Sequence, residues 1–284
     1  MTSCCPAWVK FIEQNYADML HNLSTCKSPS EMEGALIKTY FAKKIGIDPE
    51  KIVVVSIMPC VAKKFEGERQ ELGTSSRKDI DYVLTTRELS KMIKEAGLDF
   101  ANIKGEDFDN PFGESTGAGV IFGATGGVTE AALRTVFDIV SGDDNSLMEV
   151  HSVRGITGIK EVSICLPDGR TINAAIANGI KNAREILEWV KSGTKHYDFI
   201  EIMACPGGCV TGGGQPILCS RKREQIDAKL ERAKSIYEED SSMLLRKSHK
   251  NPYILKIYEE FLIKPCSDLS HELLHTHYTD RSDK

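Results

Sequence analysis

The chain has 284 residues, 41% of them hydrophobic, with 36 Lys+Arg against 41 Asp+Glu for a formal net charge of −5. That length suits one large core or two lobes, and the mild acidity argues against a nucleic-acid binder, since the basic run SRKREQ (220–225) reads as a solvated helix face. No apolar stretch reaches membrane-spanning length and no signal peptide opens the chain, so the expected compartment is the cytoplasm or an equivalent reducing space.

Helix and strand signals alternate along the chain. Pro6 fits the first helical position after Cys5, and Val9, Ile12, Tyr16 and Leu20 follow at helical spacing. Ser28-Pro-Ser-Glu31 reads as a capping box opening a helix through Tyr40. IVVVSI (52–57) is a β-branched run of the kind buried on both faces of a parallel sheet, and DYVLT (81–85) and FIEIMA (199–204) are similar. Thr85 and Glu88 form a second capping box, ahead of a face of Leu89, Met92, Ile93 and Ala96 with Gly97 as the stop. VSICL and TINAAIA flank the turn PDGR (167–170) as a hairpin. Ile180, Ala183, Leu187 and Val190 make an apolar stripe ending at Gly193, and 221–240 reads as one charged helix on which Ile226, Leu230 and Tyr237 could pack. The alternation predicts an α/β fold.

The cysteines are 4, 5, 26, 60, 165, 205, 209, 219 and 266. An odd count in a chain of this size does not read as a disulfide framework. Cys60 lies just past one strand end, and Cys205 and Cys209 lie in the glycine-rich turn CPGGC at another, where open α/β sheets bind ligands. Cys5 precedes a helix, whose N-terminal dipole favours thiolate. Four thiolates suit zinc or an iron–sulfur cluster. Only one local cysteine pair is present and its spacing is not that of a zinc ribbon, which points to a cofactor buried between lobes. The glycines of CPGGCVTGGGQP would let backbone approach it. Cys26, Cys165, Cys219 and Cys266 read as ordinary buried thiols. GAGVIFGATGG (117–127) does not follow a strand as a dinucleotide loop requires. His271 and His275 share a helix face with His277 nearby, and a structural role is the preferred reading.

Three segments, TSCCPAW (2–8), MPCVAKKFE (58–66) and EIMACPGGCVTGGGQP (201–216), resemble the three signature segments of FeFe-hydrogenases, in order and without gaps. DNPFGESTGAG (109–119), FGATGGVTEAALR (122–134) and HELLHTHY (271–278) resemble that family too. The resemblance implies a two-lobed iron-hydrogenase-like fold with largely parallel sheets flanked by helices and the cofactor between the lobes. It implies reversible reduction of protons to H2 at an H-cluster, a 4Fe–4S cube joined to a two-iron subsite with carbon monoxide, cyanide and azadithiolate ligands. By motif position, Cys5, Cys60, Cys205 and Cys209 would ligate the cube and Cys209 would bridge to the two-iron subsite. Cys4 would relay protons and Ser24 would stand in the same path. Lys63 would hydrogen-bond a cyanide. Met58, Met203, Pro29 and Phe122 would wall the two-iron subsite.

The family's domain carries a long stretch before its TSCCP segment, which here starts at residue 2. Residues 1–284 are therefore expected to be the greater, C-terminal part of the H-cluster domain, without the N-terminal part or ferredoxin-like domains, with a further N-terminal segment or subunit to complete it. The expected partners are a ferredoxin or another electron carrier and dedicated maturation proteins. An anaerobic organelle such as a hydrogenosome is an alternative compartment. The competing reading is a non-catalytic relative holding only a cube, in iron–sulfur assembly or as a sensor.

Overall fold

The computed structural model describes residues 1–74, 76–142, 149–156 and 158–283. Among these residues, five strands form two sheets. β1 (Val55–Met58) pairs in parallel with β2 (Tyr82–Thr85), and Met58 stands opposite Thr85. β3 (Ile159–Cys165) and β4 (Thr171–Asn178) form the expected antiparallel hairpin. β5 (Phe199–Met203) runs parallel to β4, with Met203 opposite Asn178.

The three-stranded sheet carries the main core. Side chains alternate across a strand, so Ala175, Ala177, Ile200 and Ile202 face one side, where Trp8, Val9 and Ile12 of the helix Pro6–Asn15 and Ala183, Ile186 and Leu187 of the helix Ile180–Lys191 cover them. Ile176 faces the other side and packs with Leu133, Val150 and Val153. Leu133 belongs to the helix Gly127–Ser141. Glu201 points to this second face and is fully buried. It accepts from Gly126 N (2.6 Å), Thr129 N (2.8 Å) and Thr129 Oγ1 (2.8 Å). A strand carboxylate thus satisfies the free N–H groups at a helix start.

Several sequence expectations need correction. IVVVSI is not buried on both faces: Val54 and Ser56 are buried, but Val53, Val55 and Ile57 are exposed. Among the described residues β1 pairs only with β2, so its odd-numbered face lacks a covering layer. Ser28 does begin a helix, but its hydroxyl bonds Glu66 Oε2 (3.0 Å) and Ser30 instead of capping. The helical run continues past Tyr40, through Ile37–Phe41 and Ala42–Ile45. The charged stretch 221–240 is two helices, Ser220–Gln225 and Ala228–Ser242, because Asp227 caps the second through Lys229 N and Leu230 N. Ile226 and Leu230 are exposed, while Tyr237 packs against Ala118, Ile121 and Ala131. The Thr85–Glu88 capping box forms as read, but its helix Thr86–Glu95 buries no residue fully.

The C-terminal third is tied in by buried charge. Arg134 is fully buried and bonds Asp240 through both Nη1 and Nη2 (2.8 Å each), and Glu130 through Nη2 (2.8 Å). Glu13, also fully buried, receives Arg69 through two bonds (2.8 and 2.6 Å) and Thr279 N (3.1 Å). Arg134→Ala would strip the buried Asp240 of its two-bond partner, leaving it Arg246 alone, and would remove one of the two arginines on Glu130. It is expected to cost about 3–5 kcal/mol, read as a lowered denaturant midpoint.

Candidate metal centre

The first residues are fixed to β5. Thr2 N donates to Ile200 O (2.9 Å), Ile202 N donates to Thr2 Oγ1 (3.2 Å), and Trp8 Nε1 donates to Thr2 O (3.0 Å). Cys4 and Cys5 therefore arrive beside the carboxyl end of β5. Cys5 is the N-cap residue of its helix, and Ala204 N donates to its sulfur at 3.5 Å. Cys60 follows β1, and Cys205 and Cys209 follow β5.

Three close approaches join these turns. Gly214 N donates to Pro59 O at 2.9 Å. A Cβ on Gly212 would stand 2.1 Å from Pro59 O, and one on Gly214 would stand 3.0 Å from Cys60 N. Gly208, at φ +97, sits in the left-handed region and presses against Gly123 and Thr125. Only glycine permits this contact. Arg87 holds the loop through Gly213 O (2.6 Å), Arg232 through Val210 O (3.1 Å) and Pro216 O (2.9 Å), and the buried Asn178 accepts from Gly207 N (3.4 Å). These supports had no signal in the sequence beyond the glycine run, because they come from distant segments.

The thiols act on one another electrostatically. Burial first, and then neighbouring cysteines, raise Cys5, Cys205 and Cys209 above the ordinary thiol value: Cys60 acts on all three and Cys5 on the other two. Anionic sulfur here needs a cationic group to hold it. Zinc bound by four sulfurs at about 2.3 Å sets them about 3.8 Å apart. Among the described residues, the Cys/His/Asp/Glu group whose ligand atoms all fall within 4.8 Å of one another is Cys266, His271 and His275, not these four thiols. Four cysteine thiols are the donor set of an iron–sulfur cluster.

Cys4 is half-buried next to Cys5. Burial pushes its thiol up to about 12, with Lys63 pulling the other way. Lys63 points inward, bonding Glu66 (2.6 Å) and Ser30 Oγ (3.2 Å), whereas Lys64 pairs with Glu88 in solvent. Burial pulls the Lys63 pKa down, but Glu66, Cys4 and Cys209 outweigh it and hold it above the usual lysine value. Met203 is buried and Met58 half-buried at the ends of β5 and β1.

The remaining expected residues are more scattered. Ser24 Oγ accepts from Cys26 N (3.3 Å), which makes it a turn residue locally. Pro29 is exposed and lines a cleft with Phe112, Asn251 and Leu274. Phe122 packs beside Ala118, Ile121 and Tyr237. The four supposed core thiols are not buried: Cys165, Cys219 and Cys266 are exposed and Cys26 is half-buried. Cys165 ends an edge strand, Cys219 precedes a surface helix, and Cys266 sits in a left-handed turn.

Two predictions follow from this geometry. Gly212→Ala overpacks the loop at a cost of about 1–3 kcal/mol, so iron bound per chain should fall while far-ultraviolet circular dichroism stays unchanged. The second concerns Glu31, whose carboxyl is pushed up to about 8 by burial and then by Glu66 and Asp79. The folded chain then keeps a proton that the unfolded chain releases near 4.5, so this group makes stability fall as pH rises from about 4.5 to about 8. Glu31→Gln should remove that slope, giving a higher urea midpoint than the parent near the top of the window and little change at its bottom.

Comparison with known proteins shows the family to which the chain belongs. Residues 1–213 match the family described as the iron-only hydrogenase large subunit, C-terminal domain, and residues 226–281 match the iron hydrogenase small subunit. The chain is 48% identical over 281 residues to the NADP-reducing hydrogenase subunit HndD of Solidesulfovibrio fructosivorans, covering 99% of this chain and 47% of that protein. It is 30% identical to Protein NAR1 of Arabidopsis thaliana, covering 98% of this chain and 61% of that protein. A structure of a variant of the FeFe-hydrogenase HydA1 from Chlamydomonas reinhardtii superposes with a TM-score of 0.83 at 38% identity, covering 98% of this chain and 76% of that one. This chain spans about half the length of HndD. With the fold, the motif order and both family matches in agreement, the chain belongs to the iron-only hydrogenase family, as a C-terminal large-subunit domain continuous with a small-subunit segment.

Proposed function

We propose that this chain is the catalytic part of a hydrogenase that interconverts protons and H2. The observation that carries this reading is the convergence of Cys5, Cys60 and the glycine-docked Cys205 and Cys209 on one place, with the Cys4 thiol and the buried Lys63 ammonium beside it. Cys5, Cys60, Cys205 and Cys209 would hold the 4Fe–4S cube, and Cys209 would also face the two-iron subsite. When bound, the H-cluster supplies the redox chemistry of proton reduction.

The chain's own residues place and tune it. The Lys63 ammonium, kept charged by Glu66, offers an N–H donor to an anionic ligand such as cyanide. Met58 and Met203 provide polarizable, apolar walls that exclude water. Cys4, beside Cys5 and Lys63, would be the residue whose Sγ passes a proton onward. Pro29 and Phe122 would close the remaining wall. Ser24 would extend the proton path only if its hydroxyl leaves Cys26 N. An electron carrier such as a ferredoxin and dedicated maturation proteins are the expected partners, and an N-terminal segment or subunit would cover Val53, Val55 and Ile57.

A second reading is supported by the similarity to NAR1 along nearly the whole chain: a module that holds a cube without the two-iron subsite. Infrared spectroscopy of matured protein separates the two, because iron-bound carbon monoxide and cyanide bands belong only to the first. Cys4→Ala should lower H2 turnover by about 100-fold or more with iron content unchanged, whereas Cys5→Ala should lose iron. Equal iron loss from both variants would overturn the division of roles.

A further inference from the structure

Away from the cysteine centre, we propose that Cys266, His271 and His275 form a second metal site that binds one zinc ion and joins the turn before the C-terminal helix to the end of that helix, beside the loop at Thr25 and Cys26. The Cys266 sulfur and one ring nitrogen from each histidine all lie within 4.8 Å of one another. One thiolate and two imidazoles at that separation are a donor set for a tetrahedral, borderline-soft cation, with the fourth position left to water.

Each ligand is placed by local structure. His271 lies in the helix Asp268–Leu274 and His275 is its C-cap residue, four positions on, so both rings rise on one face and stack at 4.1 Å between centroids. Cys266 is held at φ +58, a conformation few non-glycine residues adopt. Ser267 fixes that turn by donating from Oγ to Leu262 O at 2.6 Å and from N to Lys264 O at 3.2 Å.

The surroundings are those of a ligand. Thr25 Oγ1 lies 2.8 Å from His275 Nδ1. A hydroxyl accepting the Nδ1 proton leaves the Nε2 lone pair for a metal, the outer support that ligating histidines use. Thr276 N donates to Thr25 O (2.7 Å), Lys27 N donates to Leu274 O (2.9 Å), and Cys26 pairs with His275 in an antiparallel bridge. All three ligands belong to the small-subunit-like segment, so an ion bound here would fix the turn and helix end to which the loop at residues 25–27 is hydrogen-bonded.

The test is a zinc titration of the iron-loaded protein against a chromophoric chelator under anaerobic conditions, with iron measured alongside. One equivalent of zinc should bind without loss of iron. Cys266→Ser and His271→Ala should each weaken it tenfold or more, and Thr25→Val by about tenfold. The exposed-thiol control Cys165→Ser should leave binding unchanged. Cobalt in place of zinc should give a thiolate-to-metal charge-transfer band that Cys266→Ser abolishes. Zinc binding that is equal in the parent and Cys266→Ser proteins, or that occurs only as iron is displaced, would overturn the proposal.

Discussion

The structure turns on a contact with no room for a side chain. The backbone of the glycine loop after β5 lies directly on the backbone of Pro59 and Cys60 after β1. β1 belongs to one sheet and β5 to the other, so this contact brings the thiols of the two sheets to one centre. A single methyl at Gly212 would stand 2.1 Å from Pro59 O, well inside van der Waals contact distance. The glycines serve position more than mobility, since Arg87, Arg232 and Asn178 hold the loop from three directions.

Around that contact the chain buries more charge than an ordinary core would accept. Lys63 with Glu66, Lys27 with Asp79 (2.7 Å) and Glu13 with Arg69 stand in a continuous region behind the cysteines. Buried pairs of this kind add little net stability against apolar replacements, yet are costly to break singly. At the centre it is Glu66 that keeps one cation, Lys63, beside Cys4 and Cys209, where burial alone would favour its neutral form.

The C-terminal segment belongs to the same body. Arg134 reaches Asp240, Glu13 reaches Thr279 and Arg281, and Leu273 and Leu274 pack against Leu36 and Tyr40. The region that matches a small subunit therefore completes cores begun by the region that matches a large one.

The sequence by itself determined the element types and the cysteine-bearing turns. Strand–turn–cysteine at 55–60 and 199–209, Pro6 after Cys5, and the Thr85–Glu88 box are local signals, and local backbone preferences carried them into the structure. The inward turn of Lys63 rather than Lys64 came from motif register, and the burial pattern agrees with it. Tertiary structure alone decided the rest. Ser28 lost its capping bond to Glu66, 38 residues away. One face of β1 stayed open because a strand's apolar pattern cannot say how many layers will cover it. Cys26, Cys165, Cys219 and Cys266 were indistinguishable from core thiols by composition, because burial is a property of what packs against a residue. The same holds for Cys266, His271 and His275: helical spacing could align the two rings, but only the left-handed turn at Cys266 and the crossing of residue 25 bring a thiol and a hydroxyl to them.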